Sequence, residues 1–141
     1  MTLRFQKIIP ASEESIIEGD FKFRIVKVAF DKTAMGFVPL NMAKDQQILS
    51  VELEILSGSK DSFKGLGLLL ADGSGKKYEA VIQISGSIIL LLSDVILREP
   101  PSDYRPEKDT IVWSYMVSKY NNEFYLIFPS GLVVDLCPLI R

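Results

Sequence analysis

Leu49-Ser50-Val51-Glu52-Leu53-Glu54-Ile55 alternates aliphatic and polar residues without a break. Side chains that face opposite ways in turn mark a strand with one face on a core and one toward water. The same period of two recurs on both sides of this stretch. Upstream, Phe21, Phe23 and Ile25 alternate with Lys22 and Arg24, and then the parity flips to Val26, Val28 and Phe30. A strand that offers first odd and then even residues to one core requires a bulge or a change of sheet. Downstream, Leu66, Leu68 and Leu70 form a short strand and Asp72-Gly73-Ser74-Gly75 a tight connection. Residues 76–84 return with Tyr78, Ala80, Ile82 and Ile84 on one face. The apolar run 88–92 reads as a strand buried on both faces or as a short helix.

In the last third, Ile111, Trp113, Tyr115 and Val117 share one face of a strand, and Val112, Ser114, Met116 and Ser118 the other. Asn121-Asn122 predicts a hairpin to residues 124–128, and Pro129-Ser130-Gly131 a turn into residues 132–136. Residues 98–109, with Pro100, Pro101 and Pro106 among seven charges, read as an exposed connection. Turn signals every 8–15 residues or so predict an all-β chain, an antiparallel β-sandwich of seven or eight strands. One domain spans residues 1–141, with residues 1–20 as an extension or edge strand.

Composition narrows the chemistry. The chain has 141 residues, 18 acidic against 16 basic, and a net charge of −2, with Lys7, Lys76 and Lys77 scattered. No basic stripe for nucleic acid is present. Histidine is absent and Cys137 is the single cysteine. This excludes a Ser–His–Asp or Cys–His pair, the usual zinc sites and an internal disulfide. The longest apolar stretch is broken by Ser93 and Asp94, so no transmembrane segment is expected, and the first ten residues lack a signal-peptide apolar region.

Residues 48–58, followed by Leu68-Leu-Leu-Ala-Asp-Gly-Ser-Gly-Lys-Lys-Tyr78, resemble a family of bacterial immunoglobulin-like domains of unknown function. That family occurs in exported proteins and lipoproteins and is labelled after a telomeric repeat-binding factor. Leu70, Asp72, Gly75 and Tyr78 match its Leu-x-Asp-x-x-Gly-x-x-Tyr spacing, and residues 110–113 and 125–128 are similar to its closing strands. The resemblance implies an immunoglobulin-like sandwich and an extracytoplasmic setting, with no reaction or catalytic residue attached.

Several residues invite chemistry. Glu52 and Glu54 project from one sheet face, as a carboxylate pair for glycoside hydrolysis must, although a solvated strand face accounts for them. Asp72, Ser74 and Asp61 offer oxygens to a cation, but a hairpin turn explains the same residues and the calcium-loop pattern is missing. Gly65-Leu-Gly67 lacks the third glycine of a dinucleotide loop. Cys137 has no adjacent base and reads as a small buried residue. The aromatic segment reads mainly as core, with the hydroxyls of Tyr115, Tyr120 and Tyr125 as the best surface patch. The expected function is a non-enzymatic binding or structural module for a protein or glycan partner, without cofactor or metal. A small β-barrel carrier of an apolar ligand, lined by residues 88–92, is the first alternative, and a hydrolase using Glu52 and Glu54 the second.

Overall fold

The computed structural model describes residues 8–31, 41–58, 67–85, 88–92, 96 and 110–140. Among them are eleven strands: β1 (Ile8–Pro10), β2 (Ile16–Glu18), β3 (Phe21–Asp31), β4 (Gln46–Ser57), β5 (Leu69–Asp72), β6 (Lys77–Glu79), β7 (Ile82–Ser85), β8 (Ile88–Leu91), β9 (Thr110–Ser118), β10 (Phe124–Ile127) and β11 (Val133–Asp135). A single 3-10 turn, Cys137–Leu139, follows. The strands build two sheets, ordered β1-β11-β10-β5-β6 and β2-β3-β4-β9-β7-β8. The β1–β11 pair is parallel and the other pairings are antiparallel.

Lettered as an immunoglobulin sandwich, β3-β4-β9-β7 is A-B-E-D and β11-β10-β5-β6 is G-F-C-C′. The expected immunoglobulin-like sandwich is therefore the fold. The strand number exceeds seven or eight for two reasons. Residues 8–18 supply two short strands, β1 and β2, each at a sheet edge. Residues 76–84, expected as one strand, are two: β6 stays in the five-stranded sheet and β7 joins the other. Tyr78 and Ala80 pack on the main core, whereas Ile82 and Ile84 lie in a second apolar cluster.

The alternation in β4 does what its period requires. Leu49, Val51, Leu53 and Ile55 are buried between the sheets, and Leu49, Val51 and Leu53 lie opposite Tyr115, Trp113 and Ile111 of β9. The facing sheet contributes Leu70, Phe124, Leu126 and Val134. Ring pairs tie β3 across the gap, Phe23 to Phe128 at 5.0 Å and Phe30 to Phe124 at 5.7 Å between centroids. The parity flip in β3 is a bulge. Ile25 pairs with Leu53 and Lys27 with Glu52, so Val26 is skipped and lies 44% exposed, and beyond it Val28 and Phe30 turn to the core. On the outer face of the six-stranded sheet, Ile48, Ile82, Ile84 and Val112 form the second cluster, packed by Met42, Val81 and Met116. The Ser50 and Ser114 hydroxyls satisfy each other there at 2.9 Å.

Two further expectations change. The barrel alternative gives way to two separate sheets with a packed core, and residues 88–91 form β8 at a sheet edge instead of lining a cavity. Asn121-Asn122 is not a hairpin turn, because β9 and β10 belong to different sheets and the segment carries the chain between them. The expected connection 98–109, residues 86–87 and Asp61 lie outside the described residues.

Tyr115 shows how the sheets are latched. It is fully buried, and its hydroxyl donates to the Leu68 carbonyl at 2.9 Å, from the six-stranded sheet to the chain entering β5. Burial pushes its pKa far above the ordinary tyrosine value, so it remains a donor at any physiological pH. Tyr115→Phe keeps the ring and strands a buried carbonyl, and an expected loss of about 1–2 kcal/mol follows. Equilibrium urea unfolding, with an unchanged slope and a lower midpoint, checks it.

Candidate functional site

The outer face of the five-stranded sheet carries the candidate site. One row of cross-strand partners, Ile9–Val134–Leu126–Leu70–Tyr78, faces the core. Because faces alternate, the neighbouring rows face outward. They are Ile8–Val133–Ile127–Leu69–Glu79 and Pro10–Asp135–Tyr125–Ala71–Lys77. The first is aliphatic across four adjacent strands, where a one-sided sheet ordinarily turns polar residues to water. Ile8 is 60% exposed. A groove of about 330 Å³ runs over these rows, floored by Ile8, Ala71, Tyr125, Ile127 and Val133 and rimmed by Lys77 and Glu123. A second depression of about 500 Å³ adjoins it at Ile8 and includes Ile16, Ile17 and Leu132.

The three tyrosines do not form one patch. Tyr115 is interior, which corrects the expectation of a surface hydroxyl. Tyr120 is 83% exposed in the turn after β9 and lines neither depression. Tyr125 alone lies in the groove, its hydroxyl donating to the Glu123 carboxylate. That hydrogen bond, with burial second, pushes the Tyr125 pKa up to about 12. The ring is thus held as a neutral, oriented platform at the groove's end.

The wall beside it is the β5–β6 hairpin, and Asp72 organises that hairpin. Its Oδ1 accepts from the Ser74 amide at 2.9 Å, the Ser74 hydroxyl at 2.6 Å and the Lys76 amide at 3.1 Å. Its Oδ2 accepts from the Tyr78 hydroxyl at 2.8 Å and Asn121 Nδ2 at 3.0 Å. Gly75, at φ 94°, takes the left-handed position that closes a three-residue loop. A Cβ at Gly73 would stand 2.5 Å from Glu123 Oε1, so a side chain there would displace the carboxylate that holds Tyr125. The spacing of Leu70, Asp72, Gly75 and Tyr78 is thus a set of mutually satisfied turn contacts. Five protein donors occupy the lone pairs of Asp72 and leave a cation no place on it.

Other groups are also committed. Glu54, on the outer face of the other sheet, pairs with Arg24. Glu18 accepts from the Ser130 hydroxyl and amide, linking β2 to the β10–β11 turn. Burial, then the Asp135 carboxylate, raises the Cys137 thiol above its ordinary pKa, which lowers its thiolate fraction. Ile8, Leu69, Ile127 and Val133 did not stand out in the sequence as site residues. Their signal is that Ile8-Ile9, Leu68-Leu69-Leu70, Leu126-Ile127 and Leu132-Val133-Val134 are apolar on both parities within short strands.

No family model matches the chain, and no curated protein matches it. The chain is similar to a β-sandwich protein from Clostridium difficile 630. That crystallised protein is described as uncharacterized; the TM-score is 0.55, with 12% identity over 93% of this chain and 94% of the other. At this identity the likeness supports the sandwich fold alone. Among the described residues no helix is long and apolar enough to cross a membrane.

Proposed function

We propose that the chain is a non-enzymatic immunoglobulin-like binding module that takes a protein or glycan partner on the outer face of its five-stranded sheet. The observation that carries this reading is the aliphatic row Ile8–Val133–Ile127–Leu69 on the solvent side of four adjacent strands. An apolar centre with Lys77, Glu79, Glu123 and Asp135 around it has the composition of an interface core and its rim. The apolar row favours a protein, and the oriented Tyr125 ring is the feature a sugar would stack on. Support for a non-enzymatic role comes from the absence of histidine, the raised Cys137 thiol and the engagement of Asp72 and Glu54. The resemblance to domains of bacterial exported proteins fits the same reading.

The test screens the full chain against a glycan array and a displayed peptide library, then compares each binder on two variants. Ile8→Asp changes an exposed residue of the groove floor, and binders are expected to lose at least about tenfold in affinity on it. Lys27→Ala lies on β3 in the other sheet and is expected to change binding less than about twofold. Binders indifferent to Ile8→Asp would overturn the assignment.

A further inference from the structure

The six-stranded sheet ends, among the described residues, in β8, a four-residue strand that carries no charge, proline or bulge. Edges are protected by charge, proline, bulges or brevity. β6 has Lys77 and Glu79 and β1 has Pro10, whereas residues 88–92 are Ile-Ile-Leu-Leu-Leu. Leu90, Leu91 and Leu92 are 44, 48 and 47% exposed. The register shows what they extend. Leu90 pairs with Gln83, which pairs with Trp113, so Leu90 continues the core-facing side. Leu91 pairs with Ile82, which pairs with Ser114, so Leu91 continues the outer side with the second cluster. Both faces of the sheet therefore arrive at this edge apolar.

A strand added here must itself be apolar on both faces and free of charge. An ordinary half-buried strand, with alternating polar residues, places those residues against leucine on one side. β8 itself meets the requirement. Antiparallel pairing of β8 with its equivalent sets aliphatic opposite aliphatic wherever residues 88–92 of the two copies overlap, and a two-fold axis generates it. We propose that β8 pairs with β8 of a second copy of this chain and joins two six-stranded sheets into one. The backbone orientation fits. The Leu92 amide donates to the Val81 carbonyl at 2.8 Å, toward β7. By alternation the amides of Leu91 and Ile89 point to the open side.

This alternation defines the test. Leu91→Pro removes an outward amide and leaves the ladder to β7 intact, the one setting where an edge proline is tolerated. Leu91→Lys instead places a charge from each copy in the apolar seam. Sedimentation equilibrium of the full chain is expected to show a monomer–dimer equilibrium, with both variants raising the dissociation constant at least about 30-fold. Circular dichroism melting separates this from unfolding, since the monomeric variants are expected to melt cooperatively. Hydrogen exchange should slow at Leu91 and Ile89 as concentration rises. A wild-type chain monomeric to millimolar concentration would overturn the proposal. So would a dimer that survives both folded variants, or binding of an unrelated extended peptide at β8 in place of a second copy.

Discussion

Trp113→Ala is expected to lower the melting temperature by about 10–20 °C. Trp113 is the largest fully interior side chain, 2% exposed, at the centre of β9 between Val51 of β4 and Gln83 of β7. It faces the opposite sheet from the middle of the larger one, and the strands on either side, β4 and β7, are fixed by ladder hydrogen bonds and cannot collapse into the space it leaves. Truncating an aromatic residue in such a place costs about 3–5 kcal/mol. Against a total stability of about 5–15 kcal/mol for a domain, that is a large share. Trp113→Phe keeps a ring in the same plane and is expected to cost less than half as much. Far-ultraviolet circular dichroism melts of the three proteins decide it, and an alanine variant with the wild-type midpoint would place the centre of the core elsewhere. In antibody domains the buried tryptophan stands on strand C beside a disulfide. This chain has one cysteine and holds its tryptophan on strand E, so core packing and the Tyr115–Leu68 and Glu18–Ser130 hydrogen bonds close the sandwich where an antibody domain adds a disulfide.

The core was legible because period two is enforced by geometry. Leu49, Val51, Leu53 and Ile55 cannot share a face unless the segment is extended, and Ile111, Trp113, Tyr115 and Val117 follow by the same rule. The flip at Val26 was legible as well, since one extra residue is what a bulge inserts. Sheet assignment was not. Tyr78, Ala80, Ile82 and Ile84 keep one parity while the chain crosses from one sheet to the other, and alternation carries no record of which sheet a strand joins. The same blindness made Asn121-Asn122 read as a hairpin. The candidate groove was missed for a related reason. Its floor is assembled from single residues on β1, β5, β10 and β11, and only cross-strand register reveals that Ile8, Val133, Ile127 and Leu69 form a row. Tyr115 misled because an aromatic hydroxyl in sequence says nothing of whether its partner is water or, as here, the Leu68 carbonyl.

Asp72→Ala is expected to cost about 3 kcal/mol. It releases five donors at once, from the hairpin tip, Tyr78 and Asn121, and so unfastens β5–β6 from the segment that leads into β10. The pH dependence is more specific. Burial is the largest single influence on Asp72 and pushes its pKa up, but the bonds from Ser74, Tyr78 and Lys76 together outweigh it and hold the carboxyl below its ordinary 3.8. Tyr78 responds oppositely. Burial, then the Asp72 carboxylate, raises its pKa and keeps the hydroxyl protonated as a donor. With the folded-state pKa of Asp72 depressed, the unfolded chain binds its proton first as pH falls. The stabilisation is therefore complete above about pH 4, and it is lost as pH drops through the folded value. Asp72→Asn keeps one acceptor oxygen for the turn and cannot titrate. It is expected to be less stable than wild type at pH 7 by about 1–2 kcal/mol, with the gap closing as pH falls below about 4. Urea unfolding of both proteins across that range measures the gap directly. Parallel stability curves would mean that the carboxylate charge contributes nothing and that hydrogen-bond geometry alone holds the hairpin. A closing gap would assign the acid sensitivity of the groove wall to one side chain.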